Sequence, residues 1–213
     1  MESQGARNKI LKKIKQALKT PVTVPFPEQV SDTPIFIPTE QELAISFAQK
    51  FTELLGKFVY CADEAELVYQ LKSLIHTQKW EKVYSTEAGW LDDMSEYQFD
   101  PVNTDDLANC DVSITLCEHL VARTGSIVLS SQQLSGRASS VYAPIHICIA
   151  YTHQLVYDIA DSLVQFKNES EFIPSMISYA TGPSRTADIE KTLVVGVHGP
   201  KEVYCFLVDK LTD

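Results

Sequence analysis

The sequence contains few cysteines, and no two of them form a C-x-x-C pair. The five cysteines are odd in number and scattered along the 213 residues. Iron–sulfur clusters and structural zinc sites use closely spaced thiolates, so we expect no such cofactor and no metal ion on this chain. Scattered cysteines are typical of reduced thiols, which indicates a cytoplasmic protein.

Long apolar runs are also missing. A membrane-spanning helix needs about 20 predominantly apolar residues, and no stretch of this sequence approaches that length. Residues 1–20 carry charge but lack the apolar segment of a secretory signal peptide. We therefore expect neither a membrane span nor export.

Basic side chains are scarce after residue 20. Six of the 18 lysines and arginines lie in residues 1–20, together with one of the 28 acidic residues. The remaining 12 basic and 27 acidic side chains give the rest of the chain a formal charge of −15. A surface this acidic repels phosphate backbones, so we do not expect nucleic acid as a partner.

The N-terminal part differs in pattern from the rest. Residues 3–19 place apolar side chains at helical spacing with lysines opposite them, which predicts an amphipathic helix. This helix either packs on its own domain or docks on a membrane surface or a partner subunit, including a second copy of the chain. Residues 20–38 hold five of the ten prolines, which predicts an extended linker. We therefore divide the chain into a helix with its linker, 1–38, and an α/β domain, 39–213.

Helical and strand patterns alternate after residue 38, and strands cluster later. Helices are predicted from a capping box at Thr39 and Glu42, from a cap at Asp63, around 86–94 and over 158–166. Strands are predicted at 58–61, 82–85, 111–116, 126–129, 145–150, 176–180, 193–197 and 203–208. This order predicts an α/β fold with a mostly parallel sheet flanked by helices, plus an antiparallel part.

The loop at 181–186 follows a predicted strand and precedes a helix that we expect Thr186 to cap. Gly182 allows a close backbone approach or a positive φ. The free N–H groups of a helix N-terminus, together with Arg185, suit a carboxylate or a phosphate. The alternative is a capped turn in which Arg185 pairs with Asp188.

Other candidates carry weaker patterns. Thr124, Gly125 and Ser126 form either a ligand-binding loop with two hydroxyl donors or a tight turn. Arg137 is either a second anion ligand or a solvated side chain. Glu118 and His198 each end a predicted strand and are candidate acid/base groups, with surface or structural roles as the alternative. His146 alternates with two isoleucines in a predicted strand, so we interpret it as a hydrogen-bonded structural residue, with a role as acid, base or metal ligand as the alternative.

The order of these loops along the chain is a more specific signal of a protein family than any single loop. The segments Val121–Val128, Ala143–Ile147, Thr181–Glu190 and Gly196–Pro200 together resemble the LUD domain family, and the resemblance covers roughly residues 40–210. It implies a fold similar to ribose-5-phosphate isomerase and the CoA transferases. Related folds bind phosphate at a Thr-Gly-Ser-type loop. The candidate ligand-binding residues are therefore Thr124, Gly125, Ser126, Arg137, Gly182, Ser184, Arg185 and Thr186.

The resemblance also implies a role in a multi-protein system that oxidises L-lactate to pyruvate. Iron–sulfur clusters are expected on the partner subunits, and this chain resembles the cluster-free accessory component. It would bind those subunits and a small carboxylate or phosphate. The alternative function is a stand-alone enzyme acting on a small phosphorylated or CoA-linked acid. The resemblance fixes no nucleophile, so whether this chain catalyses a reaction stays open.

Overall fold

The computed structural model describes residues 2–19, 36, 41–169, 172–187 and 193–209. The chain forms two compact units, Met1–Pro38 and Thr39–Asp213. Helix α1, Glu2–Ala17, lies in the first unit, and its apolar side chains Ile10, Leu11 and Ile14 are exposed. The predicted helix over 3–19 is therefore present. The predicted linker falls outside the described residues, apart from residue 36.

The described part of the second unit contains five α-helices and eleven strands. The helices are α2 (Leu43–Glu53), α3 (Glu64–Gln78), α4 (Ala88–Ser95), α5 (Ser139–Tyr142) and α6 (Ile159–Glu169). The strands are β1 (Lys57–Cys61), β2 (Val83–Tyr84), β3 (Val112–Leu116), β4 (His119–Val121), β5 (Ser126–Ser130), β6 (Ile145–Tyr151), β7 (Leu155–Val156), β8 (Ile177–Ala180), β9 (Arg185–Ala187), β10 (Leu193–Val195) and β11 (Glu202–Val208).

A five-stranded parallel sheet forms the centre of this unit. Its strand order is β1-β11-β6-β3-β2, and every described pairing within it is parallel. A second sheet, β7-β4-β5-β8, contains two antiparallel pairings and one parallel pairing. Strands β9 and β10 form a separate antiparallel pair. The predicted α/β fold, with a mostly parallel sheet and an antiparallel part, is confirmed.

Alternation along the parallel strands separates two apolar layers. Ile147 and Ile149 of β6 face α3 and α4, whereas Cys148 and Ala150 face α2 and the second sheet. The opposite face of the second sheet packs on α6 through Phe166. The second sheet therefore lies between the parallel sheet and α6, and both faces of the parallel sheet are covered.

Local signals account for the helix starts to different degrees. The Asp63 carboxylate accepts a hydrogen bond from the Glu66 amide at 2.7 Å, so the predicted cap of α3 is confirmed. Helix α2 starts at Leu43 without a side-chain cap from Glu42. Thr39, the other half of the predicted capping box, lies outside the described residues.

One predicted element is wrong. Thr186 does not begin a helix; it lies in strand β9 and is the register partner of Val194 in β10. Thr186 and the valines of β10 are β-branched, and such residues favour strands. The supposed first-turn residues Asp188 and Glu190 lie outside the described residues. The short elements β4, β7, β9 and α5 were not predicted.

Candidate functional site

The two glycine-bearing loops meet beside the end of α2. The Thr124 and Ser126 hydroxyls lie 2.7 Å apart, and the Ser126 hydroxyl lies 3.3 Å from that of Thr181. Hydroxyl contacts therefore join the loop at 124–126 to the start of the loop at 181–186, although 55 residues separate Ser126 from Thr181.

Both glycines in these loops adopt positive φ and touch the backbone of α2 or the residues that follow it. Gly125 has φ +62°, and a Cβ there would lie 2.6 Å from the Phe51 nitrogen. Gly182 has φ +79°, and a Cβ there would lie 2.4 Å from the Leu54 carbonyl oxygen. The loops therefore pack tightly where α2 ends. The carbonyl end of a helix carries partial negative charge, which does not favour an anion there.

Ser184 joins the 181–186 loop to the segment at 196–200. Its amide donates to the Pro200 carbonyl at 3.0 Å, and its carbonyl accepts from the Gly196 amide at 2.8 Å. A Cβ on Gly199 would lie 2.9 Å from the Ser184 Cβ. The two segments therefore form one packed pair of loops.

A cavity of about 200 Å³ lies between the two sheets. Its walls include His146 and Val203 near the amino ends of β6 and β11, and Leu129, Ser178 and Ala180 of the second sheet. Residues from α5 and the paired loops complete the lining: Ser140, Val141, Gly182, Ser184, His198, Gly199 and Pro200. Tyr179 contributes from β8, but its ring packs against the layer beneath α6.

The cavity continues into an outer groove of about 460 Å³. Val141, His198 and Gly199 line both spaces. The groove adds the exposed side chains of Tyr142 and Val197, and it includes Lys201. We call the boundary that Val141, His198 and Gly199 form the mouth of the cavity, and Lys201 lies beyond it in the groove.

His146 is the fully buried polar side chain in the cavity wall. Its Nε2 lies 2.9 Å from the Thr115 hydroxyl, whereas its Nδ1 has no hydrogen-bond partner among the described residues. Burial lowers the pKa of His146 from 6.5 to about 4, so the ring is neutral near pH 7. A buried ring nitrogen without a partner is unfavourable unless something else occupies that position.

Three other candidate residues, Arg137, Arg185 and Glu118, lie away from the cavity lining. The exposed Arg137 side chain donates to the Ser175 hydroxyl at 2.5 Å. Arg185 is exposed at the start of β9. The Glu118 carboxylate accepts from the Ser130 hydroxyl at 2.5 Å and does not line the cavity, whereas His198 does. The structure therefore groups Gly182, Ser184 and His198 with His146, and it does not bring Glu118 to the same cavity.

His146 was interpreted as structural because a histidine between two isoleucines has no distinctive spacing. Whether its Nδ1 finds a partner depends on which residues of other strands and loops surround the ring. The local sequence pattern does not reveal those residues.

In the described part of the chain, no group of three or more His, Cys, Asp or Glu side chains is placed to hold a metal ion. No helix in that part is long and apolar enough to cross a membrane.

The fold and loops define an α/β protein in which two paired motif loops close one end of a space between two sheets. Residues 44–208 match the LUD domain family. The chain therefore belongs to the LUD domain family, as the order of its loops predicted.

Several relatives carry the name lactate utilization protein C. The protein of Geobacillus thermodenitrificans is 29% identical over 177 residues, covering 81% of this chain and 71% of the relative. Those of Bacillus subtilis and Bacillus licheniformis are 35% and 33% identical, covering 67% and 73% of this chain. The matched parts span 58% and 64% of these two relatives' own lengths.

A solved structure shares the fold. A DUF162 family protein from Deinococcus radiodurans superposes with a TM-score of 0.55 at 19% sequence identity. The match covers 78% of this chain and 96% of that protein.

Proposed function

We propose that this protein is a cluster-free accessory component of an L-lactate oxidation system. It binds partner subunits that carry iron–sulfur clusters, and it holds a small acid of that system in the cavity beside His146. The similarity to proteins named lactate utilization protein C over most of this chain carries the proposal. The cavity supports the ligand-binding part, because it collects Gly182, Ser184 and His198 from the family's motif loops.

The alternative is a stand-alone enzyme acting on a small phosphorylated or CoA-linked acid. The cavity supports this alternative less well. Its volume of about 200 Å³ is below that of typical ligand pockets, which begin at roughly 300 Å³. Among the described residues, Lys201 lines only the outer groove, and the inner cavity has no lysine or arginine to neutralise a phosphate.

Turnover distinguishes the two functions. We expect the purified chain alone, given lactate and a soluble electron acceptor, to form no pyruvate. We also expect the tagged chain, isolated from its own cells, to retain proteins with iron–sulfur absorbance, whereas an unrelated acidic protein with the same tag should not. Pyruvate formation by the isolated chain would contradict the accessory role. Turnover of a phosphorylated or CoA-linked acid that His198→Ala abolishes would favour the alternative.

Thermal unfolding with lactate and pyruvate tests the ligand. A ligand at one hundred times its Kd adds about 2.7 kcal/mol of stability, which for a domain of this size raises Tm by roughly 5–11 °C. Ser184→Ala should reduce the rise because Ser184 lines the cavity. Arg185→Ala should leave it unchanged because that side chain is exposed. The reverse pattern would place the ligand on the outer face of the loop.

A further inference from the structure

The interior of the cavity is uncharged. Among the described residues that line it there are serine hydroxyls, two imidazoles, glycine backbone and apolar side chains, but no aspartate, glutamate, lysine or arginine. An anion moved from water into such a space loses its hydration without gaining an opposite charge. The ligand part that reaches the inner end should therefore be neutral and still able to form hydrogen bonds.

His146 lines this cavity and has one ring nitrogen without a hydrogen bond among the described residues. The side chain is fully buried, and the contact between its Nε2 and Thr115 fixes the ring within the sheet. That contact leaves Nδ1 as the ring atom without a partner among the described residues. The tautomer determines whether Nδ1 donates or accepts, and both a hydroxyl and a carbonyl-containing group such as a carboxamide can match one of these roles.

The mouth has a different character. His198 lies where the cavity meets the outer groove, and Lys201 lines that groove. A carboxylate at this position keeps part of its hydration and lies near a basic side chain. A small molecule with a polar neutral end and an anionic end would therefore enter with the neutral end first.

We propose that His146 Nδ1 binds the uncharged hydroxyl or carbonyl end of a small ligand, while any carboxylate on that ligand stays at the mouth beside His198. This inference rests on the ligand-binding part of the proposed function, but it does not require the ligand to be lactate. It assigns His146 a recognition role and no proton transfer.

Four probes separate charge from shape. Lactate and lactamide have nearly the same shape but differ in charge, propane-1,2-diol retains the hydroxyl without a carboxylate, and inorganic phosphate has no uncharged end. We would titrate each probe at pH 7 into the full chain and follow the ¹⁵N shifts of the His146 ring. Lactamide and propane-1,2-diol should move the Nδ1 signal, and phosphate should not.

Variants test whether His146 carries the affinity. His146→Phe keeps an aromatic ring but removes the hydrogen bond, so lactamide binding should weaken roughly tenfold. His146→Asn keeps a polar atom near the Nδ1 position and should recover most of that loss. His76→Phe is the matched control, because His76 is exposed on α3 and should leave binding unchanged.

The outcomes separate this inference from the proposed function. If lactamide or the diol binds through His146 but lactate does not, the inference holds and the lactate assignment fails. If lactate binds without moving the His146 signals, or if phosphate competes with lactamide, the inference is wrong while a ligand role in lactate oxidation survives. If none of the probes moves the Nδ1 signal, the inference is wrong. The ¹⁵N measurement on the wild-type chain decides the matter even if His146→Phe fails to fold.

Discussion

His146 lines the cavity, and the protonation of its buried ring also affects folding stability. Burial lowers the pKa of its imidazole to about 4, whereas the unfolded chain titrates near 6.5. The folded protein favours the neutral ring. The contribution of this preference to folding stability is therefore complete above pH 6.5 and is lost as the pH falls from 6.5 towards 4. We expect this group alone to cost about 2 kcal/mol of folding stability at pH 5.

Urea unfolding of the wild type and His146→Phe between pH 7.5 and 4.5 measures this cost. The variant lacks the titrating ring. Between pH 7.5 and pH 5, the free energy of unfolding of the wild type should therefore fall by about 2 kcal/mol more than that of the variant. His76→Phe should follow the wild type, since His76 is exposed. A constant difference across this range would show that His146 is not buried as a neutral ring.

Individual residues were predictable where the signal was local. Asp63 and Glu66 are three positions apart, and the cap they form depends on no other part of the chain. His146 depends on Thr115, which is 31 residues away on a neighbouring strand. Gly182 and Ser184 were chosen from the loop at 181–186 and His198 from the end of a predicted strand, but the cavity they share with His146 exists only once the strands are paired.

The end of α2 is held by close contacts with loops from distant parts of the chain. Gly125 and Gly136 have nearly the same positive φ, +62° and +61°, but nothing lies within 4 Å of a Cβ on Gly136. Gly136→Ala should therefore cost about 1 kcal/mol from the backbone conformation alone. Gly125→Ala and Gly182→Ala should cost roughly 1–3 kcal/mol more, because their Cβ atoms would meet backbone atoms.

Chemical unfolding of the three alanine variants provides the comparison. Gly89→Ala serves as a second control, because this helical glycine has open space around it and alanine favours a helix. If Gly125→Ala is no more destabilising than Gly136→Ala, the loop at 124–126 does not pack on α2. That result would reopen this loop as a ligand-binding segment.

The prediction of a helix after Thr186 was wrong because it considered one segment without its partner strand. A threonine followed by acidic residues matches a helix start, but it also occurs in a strand when a partner strand is available. Strand β10 supplies that partner, pairing Val194 with Thr186. Pairing between two segments is not visible in the pattern of either one, whereas the longer strands of the parallel sheet were recognisable from their own apolar residues.

At the scale of the whole molecule, the α/β class followed from the order of helices and strands, because that order limits how the layers can stack. The division of the antiparallel part into a four-stranded sheet and a separate pair did not follow, because the strands β4, β7 and β9 have only two or three residues each. Such short strands carry too few residues for a period-two pattern.

The charge asymmetry of the chain leads to a prediction about assembly. Helix α1 exposes Ile10, Leu11 and Ile14 beside its lysines, and the chain after residue 20 has a formal charge of −15. A basic helix with an uncovered apolar side complements an acidic surface on a second copy of the chain, and salt screens such an attraction. We expect the full chain to self-associate, with a mass in solution that falls between 50 and 500 mM salt.

Light scattering on charge-reversed variants of the full chain tests this assembly. Lys12→Glu with Lys15→Glu should lower the mass at 50 mM salt, because both lysines lie on α1 and repulsion would replace attraction. Lys79→Glu with Lys167→Glu makes the same change in net charge at exposed positions in the α/β unit and should leave the mass unchanged. An equal fall in both variants would attribute the association to net charge alone. A mass that neither variant nor salt alters would mean that α1 plays no part in self-association.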